Sequence, residues 1–172
     1  MTLLPAVELR APQPGDLGWI VERHGAVYAD EYGLDIHFEA LVARICADFV
    51  DRLQPEREAC WIAARGQERL GSVMLVQARD DASGEPRPGV AKLRLLLLEP
   101  HARGLGVGKR LVRQCSDFAR PAGYDRIELW TQSALTAARA LYAAEGYRLV
   151  RSAAGRGFGQ GVINETWELA LR

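Results

Sequence analysis

The amino-acid sequence predicts an α/β (α+β) fold in which a mixed β-sheet is covered by helices. Strand-like and helix-like segments alternate in the second half of the chain, which implies at least one parallel crossover. A short loop between two earlier strands implies antiparallel neighbours. The length agrees, because 172 residues suit one domain and can bury a real core.

The elements follow in order. Val7 and Leu9 alternate with Glu8 and Arg10, as in a short strand. Pro12 and Pro14 come next, and Asp16 is placed to cap a helix that starts near Leu17 and carries Trp19, Ile20, Arg23, Val27 and Tyr28. Glu31-Tyr32-Gly33 interrupts it, with Gly33 as a turn. A second helix spans about Ile36 to Leu53, where Phe38, Leu41, Val42, Ile45, Phe49 and Leu53 recur at three- and four-residue steps before Pro55. Strands are expected at 59–64 and 70–78, joined by Arg65-Gly66-Gln67-Glu68. The stretch 80–88 reads as a mobile surface loop. Val90 to Leu98 ends in four leucines and fits a central strand buried on both faces.

A glycine-rich turn then leads into a helix bearing Leu111, Val112, Cys115, Phe118 and Ala119 on one side, stopped by Pro121 and Gly123. Ile127, Leu129 and Thr131 alternate with Glu128 and Trp130 in another strand. A helix from about Leu135 to Glu145 ends at Gly146. Tyr147 to Val150 and Thr166 to Leu171 are the last strands. Between them Gly155 to Gly161 reads as a flexible lid or a long hairpin connection.

Composition narrows the function classes. Twenty-two basic residues balance 22 acidic ones, so the basic excess that marks nucleic-acid binders is missing. No apolar run approaches a membrane span, and the amino-terminal segment lacks the pattern of a leader. Cys46 and Cys115 read as small core residues and Cys60 precedes a strand. The three histidines are scattered, and no spacing suggests a metal site. A reducing cytoplasm is the natural inference.

The chemistry concentrates in Arg103-Gly104-Leu105-Gly106-Val107-Gly108-Lys109. Alternating glycines let a ligand approach the backbone, and the N–H groups and dipole at a helix start favour an anion such as a pyrophosphate. Arg103, Lys109 and Arg110 add charge. A P-loop is excluded, since Arg103 stands where its first glycine belongs and Arg110 replaces its Ser or Thr. The dinucleotide fingerprint fails on glycine spacing. The pattern left is [QR]-x-x-G-x-[GA], met by Arg103, Gly106 and Gly108 after a strand ending in Glu99-Pro100.

With Leu93 to Pro100 running into that loop, the sequence resembles the GNAT superfamily of acyl-CoA-dependent N-acyltransferases over nearly its whole length. It looks most like the acetyltransferase half of bacterial proteins that fuse a MarR-type DNA-binding domain to a GNAT domain, on Phe38 to Ile45 and Glu165 to Leu169. The DNA-binding half has no counterpart, which implies a stand-alone enzyme. The resemblance implies a single domain over 1–172 with a mixed, mostly antiparallel, twisted sheet flanked by helices. It also implies acetyl-CoA as co-substrate, an amine acceptor, and no metal, nucleic acid or membrane partner. A homodimer is common in the family.

Residue by residue, the resemblance places the pantetheine arm against Leu96, Leu97 and Leu98, with a backbone N–H near Leu98 polarising the thioester carbonyl. The run from Gly104 to Lys109 would hold the pyrophosphate. Tyr142, in the helix after the next strand, is the expected proton donor to the leaving thiolate, although it also fits simple packing beside Leu141. Many relatives carry an Asn before this helix where Gln132-Ser133 stands here. A base for the amine is sought in Glu31 or Glu99, and the sequence does not choose between them. The acceptor is not readable, and a non-catalytic acyl-CoA-binding module is the competing function.

Overall fold

The computed structural model describes residues 6–172, so the reading of the amino-terminal segment falls in part outside the described residues. The elements are β1 (Glu8–Arg10), α1 (Asp16–Tyr32), α2 (Ile36–Arg52), β2 (Ala59–Arg65), β3 (Glu68–Arg79), β4 (Pro86–Leu98), α3 (Val107–Ala119), β5 (Arg126–Gln132), α4 (Thr136–Ala144), β6 (Arg148–Gly157) and β7 (Gln160–Ala170). A 3₁₀ turn at Pro100–Ala102 precedes α3. This is the expected order.

The seven strands form one sheet in the order β1-β2-β3-β4-β5-β7-β6. Only β4 and β5 run parallel; the other pairs are antiparallel. The sheet is therefore mixed and mostly antiparallel, as the sequence predicts. Each face has its own core. Val73, Leu75, Leu93, Ile127 and Leu129 pack against Leu111, Val112 and Cys115 of α3. On the opposite face Ile62 and Met74 meet Ile20 of α1 and Val42, Ile45 and Phe49 of α2.

Local chemistry explains most boundaries. The helix α1 ends at Gly33, whose left-handed conformation (φ 67°) lets its N–H reach the Ala29 carbonyl. Asp35 caps α2 by accepting the His37 N–H at 2.9 Å. Asp16 behaves differently from the expected cap: Gly15 holds that position, and Asp16 is the first helical residue. Its carboxylate is 1% exposed and takes hydrogen bonds from Arg10, Arg69 and the Gln13 N–H.

Two segments exceed their predicted lengths. Strand β4 begins at Pro86, inside the stretch read as a loop. The Gly155–Gly161 stretch is neither a lid nor a long connection, because β6 and β7 pair continuously down to Gly157↔Gln160. Phe158 and Gly159 make a two-residue turn with positive φ at both positions (55° and 93°), the geometry of a type I′ hairpin. Glycines hide this strand from a sequence pattern, yet Gly155 sits where a Cβ would lie 2.9 Å from the Asn164 amide nitrogen. Cys60 likewise lies buried within β2 and not ahead of it.

Candidate active site

The site begins where the sheet opens. The β4–β5 ladder runs from Val90↔Arg126 to Leu93↔Leu129 and stops there. Beyond that point β5 stays with β7 as far as Gln132↔Asn164, while β4 stays with β3 as far as Leu98↔Gly71. A bulge marks the divergence: the β3–β4 register shifts between Ser72 and Met74, and Leu95 takes a left-handed conformation (φ 52°). A leucine there costs on the order of 1 kcal/mol, strain of the sort that collects at functional sites. Gly71 permits the close approach, since a Cβ on it would meet the Leu97 carbonyl oxygen at 2.5 Å.

Successive backbone groups in a strand point to opposite edges. The Glu99 N–H donates to the Leu70 carbonyl at 2.9 Å, so the N–H groups of Leu98 and Leu96 face the gap. The Leu96 carbonyl faces it too and accepts from the Tyr28 hydroxyl at 3.4 Å. An extended chain carrying amides can therefore lie along this edge as an added strand.

A cavity of about 360 Å³ occupies the gap and continues toward α1 and α2. Leu34, Phe38, Leu41, Val42 and Ile45 form an apolar wall. His24, Tyr28, Phe38 and Phe158 form a row of ring contacts with centroids 4.9–5.7 Å apart, stacked at His24–Tyr28 and edge-on at Phe38–Phe158. The Asp35 N–H donates to the Phe158 carbonyl at 3.0 Å, which docks the β6–β7 turn on the α1–α2 junction. Burial lowers the His24 pKa to about 4, while its Nδ1 lies 2.8 Å from the Ile20 carbonyl. The ring is thus neutral near pH 7 and donates from Nδ1. Burial raises Tyr28 to about 12.

Tyr142 reaches the same cavity from α4, and Gln132 from the end of β5. Both are almost fully buried. Burial pushes the Tyr142 hydroxyl well above the ordinary tyrosine range, so it stays protonated through physiological pH.

The glycine loop lies beyond the end of β4. Gly104 and Gly106 have positive φ (78° and 76°), and a Cβ on either would meet nothing within 4 Å. They are the open, backbone-exposing glycines. Gly106 precedes α3 and supplies no side-chain cap, so the first N–H groups of the helix are free of one. Gly108 has a different task. A Cβ there would sit 2.9 Å from Leu98 Cδ1 and 3.0 Å from Leu141 Cδ2, so this glycine lets α3 pack on the strand and on α4. Leu105 and Lys109 are exposed, whereas Val107 is buried.

Arg103, Arg110, Glu31 and Glu99 are committed to partners. Arg103 is paired with Glu31 at 2.8 Å, which ties the loop to the end of α1. Arg110 donates to the Val7 carbonyl at 2.9 Å. Glu99 is 6% exposed and receives two hydrogen bonds from Arg23, at 2.6 and 2.9 Å. Neither Glu31 nor Glu99 lines the cavity. His24, Trp130, Lys92 and Arg94 do line it, and sequence reasoning passed over them. A signal existed for the last two, as cations inside an otherwise apolar strand. Among the described residues no cluster of His, Cys, Asp or Glu could hold a metal ion, and no helix is long and apolar enough to cross a membrane.

A model of the acetyltransferase (GNAT) family matches residues 24–147. Among curated proteins, N-acetyltransferase 8F1 of Rattus norvegicus is 34% identical over 88 residues, covering 51% of this chain and 38% of that protein. Mycothiol acetyltransferase of Beutenbergia cavernae is 28% identical over 155 residues, covering 83% and 48%. The chain thus spans less than half the length of these relatives. Among solved structures, yncA of Salmonella typhimurium, determined with its cofactor acetyl-CoA, superposes with a TM-score of 0.78 at 16% identity, covering 97% of this chain and 95% of that one. An N-acetyltransferase from Staphylococcus aureus gives 0.75 at 14% identity, covering 97% and 99%.

Proposed function

The chain belongs to the acetyltransferase (GNAT) family, and from that premise we propose that it transfers an acetyl group from acetyl-CoA to a primary amine by direct attack in a ternary complex. The observation that carries the reading is the opened edge of β4, with the glycine loop beyond one end and Tyr142 in the same cavity. The pantetheine amides pair with the backbone of Leu96 and Leu98 along that edge; Leu97, expected to join them, has its carbonyl against Gly71 of β3. The pyrophosphate rests on the backbone from Gly104 to Lys109, at the uncapped start of α3. Arg103 turns from Glu31 toward it. Gln132 meets the pantetheine where relatives carry Asn.

In this reaction the Leu98 N–H polarises the thioester carbonyl and stabilises the oxyanion formed when nitrogen attacks. The C–S bond then breaks. Nitrogen must lose one proton and sulfur must gain one. Tyr142 is the donor to sulfur, and because burial makes a lasting tyrosinate costly, it relays the proton and does not hold the charge. An amine arriving as ammonium first loses a proton along waters toward Glu99 or Glu31.

Within the family we place the chain beside the acetyltransferase halves of MarR–GNAT fusions, which it resembles on Phe38 to Ile45 and Glu165 to Leu169. We place the protein in the cytoplasm, as a homodimer. The test is free-thiol release from acetyl-CoA with a panel of polyamines, amino acids, aminoglycosides and peptides. Tyr142→Phe is expected to lower kcat by about 10²-fold or more while leaving CoA affinity intact. Tight CoA binding without thiol release from any amine would identify a non-catalytic binding module instead.

A further inference from the structure

Two cations line the cavity without a carboxylate in ion-pair contact. Lys92 and Arg94 project from β4 on the face that carries Leu95, Met74 and the α2 core, and both line the cavity wall. Their surroundings explain why this matters. Glu128, paired across from Lys92 on β5, is taken by Arg87 at 2.6 Å. Glu58, near Arg94, is used to accept the Gln54 and Gln77 N–H groups. Asp81, which also lines the cavity, attracts both Lys92 and Arg94 through space, and Asp48 attracts Arg94, with no hydrogen bond to either. Among the described residues, neither Lys92 nor Arg94 makes an ion pair.

Arg10, Arg23, Arg69, Arg87, Arg103 and Arg139, by contrast, each hold a carboxylate. Two partly buried like charges at alternate positions of one strand repel each other and lose hydration. An anion placed between them removes both penalties, and a guanidinium offers it a two-pronged contact. Arg94 is also the residue before the Leu95 bulge, on the strand whose Leu98 N–H is proposed to hold the thioester carbonyl. Leu34, Phe38, Leu41, Val42 and Ile45 give the cavity an apolar wall beside these cations, and at about 360 Å³ it suits a compact acceptor with an apolar side chain.

We infer that Arg94 and Lys92 form the subsite for a carboxylate on the acceptor, which is therefore a small amino acid: an amine, a carboxylate and an apolar side chain. This rests on the acetyl-transfer reading above. The amine then sits beside Leu96 to Leu98, the carboxylate at Arg94, and the side chain against Phe38, Leu41 and Ile45. Arg94 and Lys92 are specificity-determining groups that touch the acceptor and not the acetyl.

Matched pairs test the inference: leucine with isopentylamine, phenylalanine with phenethylamine, and each amino acid with its methyl ester. With the full chain and acetyl-CoA, kcat/KM by thiol release is expected to favour each acid over its partners by at least tenfold. Arg94→Gln and Lys92→Met are each expected to shrink that preference about 10–100-fold, since a hydrogen bond to a charged group is worth roughly that factor. A second readout is calorimetric binding of the same amino acids to the CoA-bound protein, weakened to a similar degree by Arg94→Gln with circular dichroism confirming the fold. Turnover of neutral amines with no acid preference overturns the carboxylate subsite and leaves acetyl transfer standing. So does preference for O-phosphoethanolamine over every acid, which would make the anion a phosphate. If no amine is turned over but Arg94-dependent amino-acid binding persists, acetyl transfer fails and the subsite stands. Failure of both measurements overturns both.

Discussion

The Arg23–Glu99 pair makes an asymmetric prediction about stability. Glu99 directly follows β4 and is 6% exposed, while Arg23 comes from α1 and keeps 29% of its side chain in water. Arg23→Ala strands a buried carboxylate. Removing one partner of a fully buried pair costs about 3–5 kcal/mol; with water able to enter from the Arg23 side, about 2–3 kcal/mol is expected here. Glu99→Gln keeps the shape and leaves a cation that can turn to solvent, so its cost is about 1 kcal/mol. For a chain of this length these correspond to losses of roughly 4–12 °C and 2–4 °C in Tm. Urea unfolding followed by circular dichroism gives the same ranking in midpoint at constant slope. The double variant should be less destabilised than the sum of the singles by about 1–2 kcal/mol. Equal costs for the two singles, or additive behaviour in the double, would refute the reasoning. Because the pair ties α1 to the end of β4, the Tyr28 hydroxyl over Leu96 depends on it.

Two further outcomes are expected. Burial pushes the Asp16 carboxyl up, but hydrogen bonds from Arg10, the Gln13 N–H and Arg69 outweigh it and bring the pKa to about 2, against an ordinary 3.8. A lowered folded-state pKa stabilises above the unfolded value, so about 2 kcal/mol present at pH 6 should vanish as pH falls from about 5 through 2. The stability gap between the wild type and Asp16→Asn, measured by urea unfolding across that range, should close at the acid end; a constant gap contradicts the assignment. Glu31→Gln releases Arg103 and removes a negative charge beside the proposed pyrophosphate site. Calorimetry should then show CoA binding about two- to fivefold tighter, the scale of an exposed pair, whereas weaker binding would mean that Glu31 orients Arg103 for the ligand.

Periodicity made the helices legible because α2 and α3 each bury one stripe, Val42 to Phe49 and Leu111 to Ala119. The order of elements followed from it. The β6–β7 hairpin was not legible, since Gly155, Gly157 and Gly161 carry no side chain to alternate and β6 is largely exposed. Asp16 misled because a capping residue and a buried ion-pair acceptor look the same at a helix start; the deciding partner, Arg69, lies 53 residues away. The glycine loop was readable as an anion site, but the division of labour among its glycines was not. Gly104 and Gly106 expose backbone, while Gly108 makes room for Leu98 and Leu141, contacts that only the folded chain creates. For the same reason Glu31 and Glu99 were visible as candidate bases but their arginines were not.

The gap between β4 and β5 is the feature on which the proposed chemistry depends, and it is stable for a structural reason. An opened sheet normally leaves two rows of unpaired backbone groups, each costing about 1–3 kcal/mol if buried dry. Here β4 keeps β3 on its far edge and β5 keeps β7 on its own, so each strand loses partners on one side only. The antiparallel ladder from Arg126↔Ala170 to Gln132↔Asn164 holds β5 on its course, while the Leu95 bulge turns β4 away from it. The inward row faces the cavity, which is open to water and not a dry interior. A substitution that let Leu95 return to an extended conformation would relieve the strain and remove the turn that keeps the strands apart. The strain and the opening are thus one property, and the chain stabilises both through Gly71, which brings β3 close enough to fix Leu97.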